Sequence, residues 1–250
     1  VLFTICRSEA RKYLLEVKKY YADQLVSVLI TYIIFGAFFL SLGKTADGSF
    51  YVGYIYWFLA SSVIGEASVS ISSEKQMGTF EQLMMKPVNI GVLMTIKTVV
   101  WLGVNFLKVL LLLLILKLTL PIEIAFHPGI IPVFLLSMTG VYGFTLILVA
   151  LTIKYTKTAS FESVISYVLL FFSGSLFSLN NMPDLVKTLA SSLPLTSGIE
   201  LSRRMIQHES VSSGEVAGLV LHSLLYLLSG LALFLIIMRH SRNQGINSRY

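Results

Sequence analysis

The chain has 250 residues, of which 55% are hydrophobic and 13% charged. Charged residues make up roughly a quarter of an ordinary soluble domain, so this composition excludes one and points to a single membrane domain over residues 1–250 with little soluble mass. The formal net charge of +6 does not mark a nucleic-acid binder, because the Lys and Arg residues are scattered over separate segments rather than gathered on one basic face.

Cys6 is the single cysteine, which rules out an intrachain disulfide and a cysteine-rich metal site. The four histidines (His127, His208, His222, His240) have no ligand spacing, so no metal is expected. No cleavable signal peptide is expected either, since the first residues carry charges in place of an apolar core.

In chain order, residues 1–23 repeat apolar side chains every three or four positions, with Arg7, Arg11, Lys12, Lys18 and Lys19 among them. That pattern predicts a helix lying in the membrane interface with its basic groups near lipid headgroups; the alternative is a solvated helix. Six apolar runs follow, over 25–42, 50–71, 92–116, 130–153, 161–179 and 216–238, each long enough to be read as a span. The second begins with Tyr51, Tyr54, Tyr56 and Trp57, as an aromatic belt at one membrane face would.

Two polar stretches interrupt the apolar runs. Residues 74–87 read as an amphipathic helix, with Met77, Phe80, Leu83 and Met84 on one face and Glu74, Lys75, Glu81 and Gln82 on others. Pro87 ends it. Residues 180–215 form the longest outer segment, in which Leu185–Leu193 and Ile199–Gln207 predict short amphipathic helices separated by Pro194-Leu195-Thr196. If the N-terminus is cytoplasmic, 13 of the 19 Lys and Arg residues fall on that side. The positive-inside rule then puts both termini and the 74–87 loop in the cytoplasm.

The run Glu74…Gly78-Thr79-Phe80-Glu81-Gln82-Leu83, followed by Pro87 and a span carrying Lys97, resembles the first cytoplasmic loop of ATP-binding-cassette (ABC) permeases of the type-2 exporter family. Over a hundred residues later, Pro183, Pro194-Leu195-Thr196 and Arg203/Arg204 resemble that family's outer segment. The resemblance implies an all-α membrane subunit working in the plasma membrane, with two permease chains, in the simplest case a homodimer, and two copies of an ABC ATPase. This chain has no G-x-x-x-x-G-K-[ST] loop, so ATP and Mg would bind the partner ATPase and this chain would be non-catalytic.

By the same resemblance, residues 74–87 would be a coupling helix docked on the ATPase through Glu74, Met77, Gly78, Thr79, Phe80, Glu81 and Leu83. Glu74 and Glu81 would meet basic groups, Gly78 would allow close backbone approach, and Met77 and Phe80 would fill an apolar pocket. The second and fifth spans would line a path between permeases, with Tyr54, Trp57, Phe58, Phe171, Phe172 and Phe177 along it. Large apolar side chains there suit a drug, a lipid, or a hydrophobic or amphipathic peptide.

Lys108 falls near the bilayer middle and is expected to be either a substrate or gating contact or a structural, snorkelling lysine. Glu66 and Glu162 are expected to pair with Lys97, Lys154 or Lys157, and Arg203 and Arg204 to be structural or headgroup contacts. Two other function classes compete. An ion-coupled carrier or channel would want an inverted repeat and acidic groups at mid-membrane, and neither is evident. A membrane-embedded serine hydrolase would need Ser173, Ser175 or Ser197 beside His127 or His222, but the G-x-S-G signature is absent.

Overall fold

The computed structural model describes residues 2–42, 50–80, 82, 85, 90–119, 125–154, 159–176 and 183–244. Among them the regular elements are helices: α1 (Leu2–Lys19), α2 (Tyr21–Leu42), α3 (Phe50–Gln76), α4 (Ile90–Thr119), α5 (Ile130–Lys154), α6 (Ala159–Phe172), α7 (Asp184–Ser191), α8 (Pro194–Ile206) and α9 (Ser213–Gln244). The protein is an all-α membrane protein. α3, α4, α5 and α9 are each long and apolar enough to cross a bilayer, since about 20 residues reach across about 30 Å of hydrocarbon. α1 and α2 meet at a bend of 82° between Phe3–Lys19 and Tyr21–Ala37. α6 has 14 residues, and positions 177–179 of the expected fifth span lie outside the described residues.

α3 is the hub, packing on α4, α5, α6 and α8, while α1 and α2 lie against α4. Its first half carries Tyr54, Tyr56, Leu59, Ala60 and Ile64 into one apolar core with Phe35, Leu116, Met138, Leu170, Leu195 and Ile199. Farther along, Ala67 and Ile71 join a second core with Tyr13, Phe80, Met94, Trp101, Val149 and Phe234. The most extensive helix contact is between α5 and α9. A Cβ on Gly230 would sit 2.1 Å from the Gly143 carbonyl oxygen, so only glycine lets these two backbones touch.

Among the boundaries that differ from the sequence expectation, three have a local reason. α3 runs on to Gln76, so Glu74 belongs to the second span's helix rather than to a separate one. α6 stops at Phe172, short of the expected 179: Gly174 adopts φ 78, and the Ser173 and Ser175 hydroxyls bond each other at 2.6 Å. Pro194 opens α8 as a first-turn residue instead of separating two helices.

α8 is a short amphipathic helix, as the sequence pattern predicts, and it packs its buried face into the bundle between α3, α5 and α9. Leu195, Thr196, Ile199, Leu201 and Ser202 are buried. The Tyr56 hydroxyl and Ser202 Oγ lie 2.7 Å apart, which gives both buried groups a partner.

Candidate functional site

The end of α3 is built by a glycine-terminated cap. Gly78 adopts φ 70, its N–H donates to the Lys75 carbonyl at 3.1 Å, and the Thr79 N–H donates to the Glu74 carbonyl at 3.0 Å. These two bonds form a Schellman motif, and its left-handed position is why glycine stands there. A Cβ on Gly78 would meet nothing within 4 Å, so close approach within this chain does not demand the glycine. The Thr79 hydroxyl donates to Glu74 Oε2 and locks the turn. One face of α3 is also tied to α5, where Lys75 Nζ donates to the Ile153 carbonyl at 2.7 Å and so serves that helix's C-terminal carbonyls.

The turn separates two residues that the sequence pattern placed on one face. Met77 is 66% exposed, whereas Phe80 is 3% exposed and buried with Tyr13, Ile71, Ile90 and Met94. A 74–87 helix with a shared Met77/Phe80 face is therefore replaced by a helix end, a reversal and renewed helical backbone at Phe80 and Gln82. Phe80 anchors the loop to its own bundle; among the described residues, Met77 and Met85 are the exposed apolar side chains there. Glu81, Leu83, Met84 and Pro87 lie outside the described residues.

Below this turn, polar groups form a stripe on α3. Glu66, Ser70 and Glu74 recur every four residues, on one helix face. Each is held by a different element: Tyr13 on α1 donates to Glu66 Oε1 at 2.6 Å, Lys97 Nζ on α4 donates to Ser70 Oγ at 2.9 Å, and Thr79 holds Glu74. Glu66, expected to pair with Lys97, Lys154 or Lys157, takes the Tyr13 hydroxyl as its donor, and Lys97 donates to Ser70. Burial and the neighbouring Glu66 carboxylate push the Tyr13 hydroxyl up from its usual range, so it remains a donor. Glu162 is buried in the first turn of α6, and Lys157 lies outside the described residues.

The residues expected along a path divide by burial. Tyr54 is 1% exposed and donates to the Thr31 carbonyl at 2.7 Å, and Trp57 is buried with its Nε1–H donating to the Ser166 carbonyl at 2.8 Å. Phe58 is half-buried, while Phe171 and Phe172 are exposed on α6. Phe177 lies outside the described residues. Lys108 is half-buried and donates to Gln24 Oε1 on α2 at 2.6 Å, the kind of interhelical bond a structural lysine makes.

Arg203 has a structural partner that the sequence gave no sign of. Its guanidinium donates to the Gly174 carbonyl at 2.7 Å and the Ser175 carbonyl at 2.8 Å, capping the broken end of α6 from α8. Gly53 makes room, because a Cβ there would lie 2.3 Å from the Ser175 oxygen and 2.4 Å from Arg203 Nη2. Arg204 forms ion pairs with Glu209 and Glu215 on the surface. Of the groups the hydrolase alternative would use, Ser173 bonds Ser175, and His127 Nδ1 accepts from the Gly129 N–H at 3.1 Å, so among the described residues neither forms a nucleophile–base pair.

Long apolar helices around a buried hub, joined by a capped polar turn, define a polytopic membrane domain with a structured loop. The chain belongs to the ABC-2 type transporter family, whose model matches residues 1–206. It is accordingly an ABC transporter permease, from a family of non-catalytic membrane subunits that work with an ABC ATPase. No curated protein matches it.

Proposed function

We propose that this permease drives export with a separate ATPase docked at the turn that ends α3. The observation that carries this reading is the construction of that turn. Glu74, Gly78 and Thr79 cap α3, Phe80 pins the following residues to the core, and Met77 stays exposed beside them. A turn rigidly joined to α3 would move with the span it terminates. Force applied to Met77 would then reach the membrane through the helix instead of being lost in a flexible loop. Glu81 and Leu83 would complete the docking surface.

Two permease chains, in the simplest case identical, would place cargo between them, with two ATPase copies carrying ATP and Mg. Phe171, Phe172 and Phe58 would face the path, joined by Phe177, with Tyr54 and Trp57 as a fixed wall behind them. Such a surface suits a drug, a lipid, or a hydrophobic or amphipathic peptide. The spread of Lys and Arg supports cytoplasmic termini in the plasma membrane.

The test is purification of the tagged chain in mild detergent, with mass spectrometry of co-purifying subunits and an ATPase assay. A P-loop subunit should co-purify and hydrolyse ATP, and Met77→Gln should weaken its retention. A chain that purifies without any ATPase, while remaining folded, would overturn the proposal and favour a carrier or channel.

A further inference from the structure

α1 packs on the bundle through one face and carries opposite charge on its two flanks. Tyr13 is buried in the second core, with Ile5, Cys6, Ala10 and Val17 packed against that core. On one flank, charged faces of α1, α3 and α4 enclose a cavity, where Glu9, Lys12 and Glu16 lie across from Lys97, Glu66 and Glu74. Glu9 and Glu16 are the two carboxylates of α1, so both of its negative charges are committed to the cavity side.

The other flank is basic. Arg7 and Lys18 each lie two residues from Glu9 and Glu16, about 200° around a helix of 3.6 residues per turn. Phe3, Arg7, Arg11, Leu14 and Lys18 follow at three- and four-residue steps, which aligns them in one stripe, and all of them are exposed. Among the described residues Arg7, Arg11 and Lys18 make no hydrogen bond or ion pair. The remaining cations of α1 are placed elsewhere, Lys12 on the cavity and Lys19 over the Tyr20 ring at 5.6 Å.

Phe3 is 81% exposed and Leu14 52%. Apolar side chains interleaved with unpaired cations suit neither water nor hydrocarbon. They suit the boundary between the two, where the apolar groups sink among acyl chains and long basic side chains reach back to phosphate. The course of the chain fits this placement. α1 meets α2 at 82°, so an α2 that crosses the bilayer leaves α1 running along its surface. Exposed Tyr21 and Leu25 continue the stripe into α2 at the same steps.

We propose that this flank of α1 docks on anionic phospholipid, with Arg7, Arg11 and Lys18 on the headgroup phosphates and Phe3 and Leu14 among the acyl chains. Charge selects the lipid: three cations with no carboxylate between them attract an anionic headgroup, whereas a zwitterionic one brings an ammonium of their own sign. The surface goes beyond the transport reading above and shares no residue with the turn or the path assigned there.

The experiment places the full chain in nanodiscs of phosphatidylcholine, with and without phosphatidylglycerol, and follows amide hydrogen exchange in α1. Each basic group at an anionic surface contributes about fivefold, so phosphatidylglycerol should slow exchange over residues 3–18 by about 100-fold. Added salt should shrink that effect in the wild-type chain. Arg7→Gln/Lys18→Gln should cut it to about fivefold. Lys12→Gln/Lys19→Gln removes the same charge from the same helix and should leave it unchanged.

Equal exchange in the two kinds of nanodisc, or equal loss of protection in both double variants, would overturn the proposal. Poly-glutamate added to phosphatidylcholine nanodiscs tests an acidic protein as the occupant. Failure of poly-glutamate to protect α1 supports the lipid, and protection by poly-glutamate but not by phosphatidylglycerol refutes it.

Discussion

Arg203→Ala removes the clamp between α8 and the broken end of α6. The wild-type guanidinium makes two charge-assisted hydrogen bonds, to the carbonyls of Gly174 and Ser175, and both of those residues are buried. Hydrogen bonds to a charged group contribute about 1.5–3 kcal/mol each, and a buried acceptor left without a donor keeps its desolvation penalty. Arg203 is only half-buried, so water recovers part of the loss, leaving a cost of about 3–5 kcal/mol.

For a chain of this length each kcal/mol is worth about 2–4 °C in Tm, so detergent-solubilised Arg203→Ala should melt about 6–20 °C below wild type. Arg203→Lys should recover part of that, because a single ammonium cannot present the fork that reaches both carbonyls. Gly53→Ala should mimic the loss without touching Arg203, since its Cβ would occupy the space 2.4 Å from Nη2. The assay is fluorescence-monitored thermal unfolding of all three variants. An Arg203→Ala protein melting within about 2 °C of wild type would refute the clamp as a determinant of the outer fold.

Other expectations follow from equally local contacts. Gly230→Leu should force α5 and α9 apart, costing about 3 kcal/mol or more because the obstructing atom is backbone, and should lower Tm measurably. Tyr13→Phe should cost about 1–3 kcal/mol by stripping Glu66 of its donor, and limited proteolysis should then cut α1 faster. Phe80→Ala should destabilise the loop and second core by about 3–5 kcal/mol, while Met77→Ala should leave stability within about 1 kcal/mol of wild type yet weaken ATPase coupling. Equal Tm values for the Phe80 and Met77 variants would show that the turn does not divide them as described. Lys108→Leu should cost about 1–3 kcal/mol by stripping Gln24 on α2 of its donor, read as a lowered Tm.

The membrane character of the chain was legible because the signal is local. Each span is a run whose transfer into hydrocarbon depends on its own side chains, so α3, α4, α5 and α9 follow from hydropathy and length. The loop after α3 was also visible, through its polar residues and Gly78. Its geometry was not. Helical spacing put Met77 and Phe80 together, but that inference assumes an unbroken helix, and the Schellman turn at Gly78 reverses the chain between them. The glycine was the available clue, since a helix C-terminus commonly carries one.

The polar contacts that shape the bundle were beyond reach for a different reason. Tyr13–Glu66, Trp57–Ser166 and Tyr56–Ser202 join residues 53, 109 and 146 positions apart. Nothing in the spacing of one helix specifies which residue of another it meets. The sequence alone determined an all-α membrane domain, its apolar runs and a polar loop of family type, because burial in lipid and helix periodicity are properties of contiguous residues. Tertiary structure alone decided that α8 sinks into the bundle, that Arg203 caps α6, that Phe80 turns inward, and that three charged faces enclose one cavity. Those outcomes depend on how separate helices satisfy one another's buried polar groups, and that balance exists only once the helices have packed.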